Sequence, residues 1–129
     1  MSPLFEQSLW PRAESFPKRL RLLRATEFQR VFQDSRKTGD QTLTVLGRPN
    51  GQDYARLGMV VSRKSVPLAV ARNRVRRLIR ESFRRNQRLL AGLDVIVLGR
   101  RGCDGRSSED LRATMETCWR ELVRKCEQS

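Results

Sequence analysis

The stretch VARNRVRRLIRESFRRNQR, residues 70–88, places eight arginines and one glutamate between Arg72 and Arg88. Guanidinium groups at this density share one chemistry: the planar fork makes bidentate hydrogen bonds to phosphate and stacks on splayed bases. The rest of the chain offers no catalytic chemistry of its own. Histidine is absent, so there is no imidazole acid or base, and the fourteen acids are scattered, with Glu109 and Asp110 the only adjacent pair. Metal-assisted hydrolysis by a protein needs several carboxylates converging on the ions. The residues point to binding a polyanion, with no active site and no metal site in the protein itself.

An element must present those arginines, and the spacing predicts a helix. Setting Arg72 at zero and advancing about 100° per residue puts Val75, Leu78, Ile79, Ser82, Phe83, Asn86, Leu89 and Leu90 on one arc. Arg74, Arg76, Arg77, Arg80, Arg84, Arg85 and Arg88 fill the other arc, with Asn73 near its middle. A merely solvated face would mix signs, with glutamate four residues before a base, and only Glu81 before Arg85 fits. Bound phosphates reverse the repulsion among these arginines. Six to ten phosphate contacts would make affinity fall roughly 10³–10⁵-fold between 50 and 200 mM salt. No second helix precedes this one closely enough for a helix-turn-helix, and a sheet flanked by an aromatic helix is nearer to the way single-stranded RNA is met. RNA is the expected partner, not DNA.

Composition agrees. Lysine and arginine number 27 against 14 acids, a net charge of +13 over 129 residues, enough chain for one domain. Cys103, Cys118 and Cys126 have no C-x-x-C spacing and read as reduced thiols of a cytoplasmic protein. No apolar run approaches the roughly 18 residues needed to span a bilayer, and no export signal opens the chain. No membrane partner is expected.

The remaining elements follow from periodicity. Residues 1–17, with three prolines, predict a flexible tail, and residues 18–129 a single domain beginning near Lys18. In LLRATEFQRVFQ, Thr26 is the expected cap of a first helix whose Phe28, Val31 and Phe32 share one face. TLTVLG (42–47) and ARLGMVVS (55–62), joined by a turn-forming RPNGQDY, predict an antiparallel hairpin. LDVIVLGR (93–100) reads as a strand buried on both faces, and Ser107 or Ser108 as the cap of a last helix with an apolar stripe of Leu111, Met115, Cys118, Trp119 and Leu122. The order α-β-β-α-β-α describes a small α/β sandwich, an α+β arrangement of helices packed on a small central sheet.

ARNRVRRLIRESFR (71–84) closely resembles the Arg-Asn-Arg box and basic helix of the bacterial ribonuclease P protein family. RLRLLRATEFQRVF resembles that family's first helix, LGMVVSRK its strand before the box, and LDVIVLGR its strand after it, in the same order. The resemblance implies a ribosomal protein S5 domain 2-like fold with a left-handed crossover. It also implies a ribonucleoprotein role: one protein subunit on a large catalytic RNA, which uses Mg²⁺ held mainly by RNA to remove the 5′ leader of precursor tRNA.

By the same resemblance, Arg72, Asn73, Arg74, Arg76, Arg77, Arg80 and Arg84 contact the catalytic RNA. Phe28 and Phe32 stack on the leader, and Arg63 and Lys64 meet its phosphates. The family's sheet often adds an aromatic where TLTVLG has none, leaving Leu43 or Val45 for apolar contact with the leader. For Asn73 two roles stay open, capping the helix start or orienting a magnesium-bound water. A structural RNA-binding protein of the ribosomal type shares this charge and build. A stand-alone nuclease is disfavoured by the missing histidine and carboxylate cluster.

Overall fold

Leu93–Gly99 is apolar along most of its length and occupies the middle of the sheet, where both faces of a strand are covered. The computed structural model describes residues 20–22 and 24–128. The expected tail over 1–17, with Trp10 and the start of order near Lys18, lies outside them. In chain order the elements are α1 (Ala25–Gln33), β1 (Arg36–Gly39), β2 (Leu43–Pro49), β3 (Arg56–Val61), α2 (Ala69–Arg85), α3 (Gln87–Leu90), β4 (Leu93–Gly99) and α4 (Ser108–Glu127). A 3₁₀ turn at Cys103–Gly105 precedes α4.

The sheet order is β1-β2-β4-β3, with β2 antiparallel and β3 parallel to β4. The expected hairpin between 42–47 and 55–62 does not form, because β4 lies between those strands. The turn after β2 does reverse the chain, but it opens a gap one strand wide. Asn50 holds that loop against the start of β4, donating from its backbone to Gly92 O at 2.8 Å and from Nδ2 to Asp94 Oδ1 at 3.0 Å. The real hairpin joins β1 to β2. Gly39 turns it at φ +124°, and Asp40 Oδ1 accepts from the backbone N–H groups of Thr42 and Leu43. β1 escaped the sequence reading because it is a short, polar edge strand in which only Thr38 is buried.

Two clusters hold the layers together. On one face Leu43, Val45, Leu57, Val95 and Val97 pack against Val75, Ile79 and Phe83 of α2 and Leu111, Met115, Trp119 and Leu122 of α4. Each such fully buried side chain contributes about 1.5–3 kcal/mol of transfer free energy. Trp119 satisfies its indole N–H on Ser82 Oγ at 2.8 Å. On the opposite face Leu22 and Val31 meet Leu46 and Ile96. The mixed α/β sandwich is as expected. The parallel β3–α2–β4 unit is the crossover to which the expected handedness refers.

Helix ends differ from expectation at three places. The N-cap of α1 is Arg24, whose backbone N–H is taken by Glu27 Oε1 at 3.1 Å, so Thr26 lies inside the helix. The N-cap of α2 is Leu68, which places Asn73 in the second turn and removes its capping role. The arginine helix also breaks at Asn86 (φ −115°, ψ 21°), which turns Leu89 outward and Gln87 inward. Ser107 caps α4 as expected, accepting from Asp110 N–H at 3.0 Å.

Candidate nucleic-acid interface

Helix α2 buries Val75, Leu78, Ile79, Ser82 and Phe83, which turns its arginines away from the core. They divide by what they hold. Those at the flanks of the buried arc reach neighbouring backbone: Arg72 donates to the carbonyls of Val66 and Pro67, both at 2.9 Å, and Arg76 to Val61 O at 3.3 Å. Arg74 reaches the opposite way, to Ser108 Oγ, Asp104 O and Arg106 O. Facing outward between them, Asn73, Arg77 and Arg85 are exposed, with Arg80 and Arg84 half-buried. Burial, followed by the fields of Arg77, Arg76 and Arg21, pushes the Arg80 guanidinium below its ordinary value. An anion laid along this face would relieve that like-charge crowding.

A cleft lies on the other side of the sheet, under α1. Residues opposite one another in the ladders share a face, so Leu46, Ile96 and Gly58 form one row and Thr44, Leu98 and Val60 the next. Phe28 settles on the first row. A Cβ at Gly58 would stand 2.7 Å from Phe28 Cζ, so only glycine lets the ring lie that low. Phe32 stacks beside it at 6.4 Å between centroids and is 50% exposed. Val60, at the open end of β3, is exposed as well.

Ion pairs fix α1 over this cleft. Arg56 donates two hydrogen bonds to Asp94, at 2.8 and 2.7 Å, and a third to Glu27 at 2.9 Å. The Asp94 hydrogen bond, followed by the two carboxylate fields and opposed by burial, leaves the Arg56 pKa above its usual value. Beyond the Thr44 row, Arg100 Nε donates to Thr44 Oγ1 at 3.0 Å. Arg100, Lys37 and Lys125 line a hollow of about 510 Å³ at the outer edge of β1.

Arg63 and Lys64 are exposed in the turn after β3, between the open end of the cleft and the start of α2. That loop joins the last strand of the cleft to the arginine helix and sets two exposed cations between them.

The expected contacts at Leu43 and Val45 are corrected. Both are fully buried between the sheet and helices α2 and α4, and alternation along β2 gives the cleft Thr44 and Leu46 instead. The slip of one position arose because five consecutive residues of β2 are buried, so burial alone could not assign faces. Lys37 went unnoticed with its strand, and Arg100 because it lies just past the end of β4. Among the described residues, no group of three or more histidine, cysteine, aspartate or glutamate side chains could hold a metal ion. No helix there is long and apolar enough to cross a membrane.

Residues 16–123 match the sequence profile of the Ribonuclease P family. The ribonuclease P protein component of Pseudoalteromonas atlantica is 39% identical over 115 residues, covering 89% of this chain and 96% of that one. The Chromohalobacter salexigens component is 46% identical over 110 residues, covering 84% and 86%. Among solved structures, a mutant RNase P protein of Staphylococcus aureus aligns with a TM-score of 0.76 at 26% identity, covering 93% of this chain and 97% of that one. The RNase P protein of Thermotoga maritima aligns at 0.68 and 32% identity, covering 81% and 96%. With motifs, topology and most of the sequence in agreement, this chain belongs to the ribonuclease P protein family.

Proposed function

We propose that this chain is the protein subunit of the ribonuclease P ribonucleoprotein. One copy docks on the large catalytic RNA through the outward face of α2, with Asn73, Arg77, Arg80 and Arg84 meeting phosphates. The cleft under α1 takes the single-stranded 5′ leader of precursor tRNA. The RNA then hydrolyses the bond that frees the mature tRNA 5′ end. The observation that carries this reading is the pairing of a partly exposed aromatic cleft with an arginine helix, joined by a loop that exposes Arg63 and Lys64, in a chain of this family.

Each part of the cleft has a physical role in that reading. Phe32 offers an open ring face, and base–aromatic stacking supplies about 1–3 kcal/mol per base without demanding a sequence. Arg63, Lys64 and Arg100 neutralise leader phosphates. Held extended at both ends, the leader carries the scissile bond to the RNA with its orientation already fixed, which lowers the entropic cost of reaction. Mg²⁺ belongs with the RNA: a hard cation prefers several oxygen ligands, and these surfaces are cationic. Burial raises the pKa of all three thiols, that of Cys118 to about 11. Inert thiols of this kind are consistent with a reducing, cytoplasmic setting.

The test is cleavage of a 5′-extended precursor tRNA at a few millimolar Mg²⁺ with protein alone, cognate large RNA alone, and both. Faster cleavage at the mature 5′ end in the mixture, with none from protein alone, is expected. A mixture no faster than RNA alone, with tight protein–RNA binding, would replace this reading with that of a structural RNA-binding protein.

A further inference from the structure

Position 70 lies on the outward stripe of α2. At about 100° per residue, Val70 shares its direction with Asn73 and Arg77, one and two turns further on. Those later positions are polar or cationic, yet among the described residues Val70 is 83% exposed, and Leu68, at the N-cap position, 71%. Pro67 and Ala69 beside them are exposed too. The result is an apolar knob at the head of an arginine helix, preceded by the exposed cations Arg63 and Lys64.

Helix stability does not account for either residue. An N-cap serine, threonine, aspartate or asparagine stabilises a helix by about 1 kcal/mol over an apolar residue, and no side chain caps α2. Valine is also a weaker helix former than glutamine, lysine or arginine at an outward position. The surrounding charge selects the occupant. Cations on both sides of the knob fix phosphates, so what comes to rest on the knob is the apolar part of a nucleotide, its ribose or base face.

We propose that Leu68 and Val70 make an apolar contact with an unpaired nucleotide of the catalytic RNA, supplying a part of the docking affinity that salt does not screen. The contact rests on the ribonuclease P reading above. Phosphate neutralisation gives affinity that falls with salt but little selectivity among RNAs. A knob that needs an unstacked nucleotide at one place adds a criterion of shape.

Its test is equilibrium binding of the full-length protein to the cognate large RNA across a range of monovalent salt, with thermal melting of each free protein. Leu68→Ser and Val70→Gln should each weaken binding roughly tenfold at every salt concentration, the effect of losing partial burial of one aliphatic side chain. The slope of log K against log salt should equal the wild-type slope, and the free variants should melt no lower than wild type. Arg77→Gln, by contrast, should flatten the slope by about 0.7–0.9. Unchanged affinity at positions 68 and 70, or a slope change matching that of Arg77→Gln, overturns the proposal. So does a lower melting temperature with unchanged affinity, which would give the knob a partner within the chain's own residues 1–19. Wild-type protein that fails to bind the RNA overturns this contact and the functional reading together, whereas indifferent variants of a binding protein overturn the contact alone.

Discussion

The Arg74 guanidinium spans from α2 to the start of α4, donating to Ser108 Oγ at 3.0 Å, Asp104 O at 3.0 Å and Arg106 O at 2.9 Å. Arg77, three residues later, is exposed. Two arginines of one basic helix therefore have different duties. Arg74→Ala should cost the free protein about 2–4 kcal/mol, since two carbonyls and a hydroxyl lose a charged donor. Arg77→Ala should leave stability within about 0.5 kcal/mol of wild type and lower RNA affinity. Thermal melting without RNA separates them, and an Arg74→Ala protein as stable as wild type would refute the bracing role.

The two aromatic rings should separate in the same way. Phe28 lies against Gly58 and Ile96, whereas half of Phe32 is open. Phe32→Leu should weaken binding of long-leader precursor, leave leaderless tRNA unaffected and spare stability. Phe28→Leu should also destabilise by about 1 kcal/mol. Gly58→Ala, whose Cβ would strike the Phe28 ring, should resemble Phe28→Leu more than Phe32→Leu. If Phe32→Leu weakens long-leader and leaderless substrates equally, that ring is packing and nothing more.

The Arg56–Asp94 pair anchors the helix that carries both rings. Asp94→Asn should destabilise by about 2 kcal/mol, because a largely buried guanidinium loses one of its two charged partners and keeps only Glu27. The double variant Arg56→Met with Asp94→Leu, made in a Glu27→Gln background so that no carboxylate is left without Arg56, should lose less than Asp94→Asn, since every charge of the cluster is then removed. Urea unfolding midpoints measure this, and a combined variant weaker than the single one would contradict it.

Acid should loosen the β1–β2 turn. Burial raises the Asp40 pKa, but hydrogen bonds from the Thr42 and Leu43 backbone and the Arg106 guanidinium outweigh it, leaving the carboxyl below its ordinary 3.8. The Arg106 hydrogen bond also lowers Asp110. Folded protein therefore binds these protons less readily than unfolded chain, so the stabilisation is fully present above about pH 4–5. It is lost as pH drops through 3.8 toward the lower folded values. Asp40→Asn should shrink the stability difference between pH 6 and pH 3, and an unaltered pH profile would remove Asp40 from the account.

The sequence carried the helices better than the sheet. The arginine helix was legible because its apolar positions repeat at 3.6 residues against a uniform charge, and α4 because Ser107 and the stripe ending at Leu122 agree. The pairing of β2 and β3 was not legible: a turn rich in Pro, Asn and Gly announces reversal but not whether a third strand enters between its arms. β1 was hidden because an edge strand buries only Thr38. At the interface, residue type marked the arginines but not their tasks. Whether Arg74 faces RNA or the Asp104–Ser108 loop depends on where the fold sets the start of α4 beside the basic helix, a placement in space that the residues around Arg74 do not encode.

The central position of β4 also sets an order of events during synthesis. β1 and β2 can pair as soon as they leave the ribosome, their partners being only a few residues apart. β3 cannot: before β4 emerges its one other described strand-like contact is the Arg21–Leu57 bridge. The whole arginine helix is made in that interval, before the strand that completes the sheet beneath it. Closure of the sheet thus waits on a contact distant in sequence, the kind that slows folding, and the nascent chain displays its most basic segment before it has a finished core.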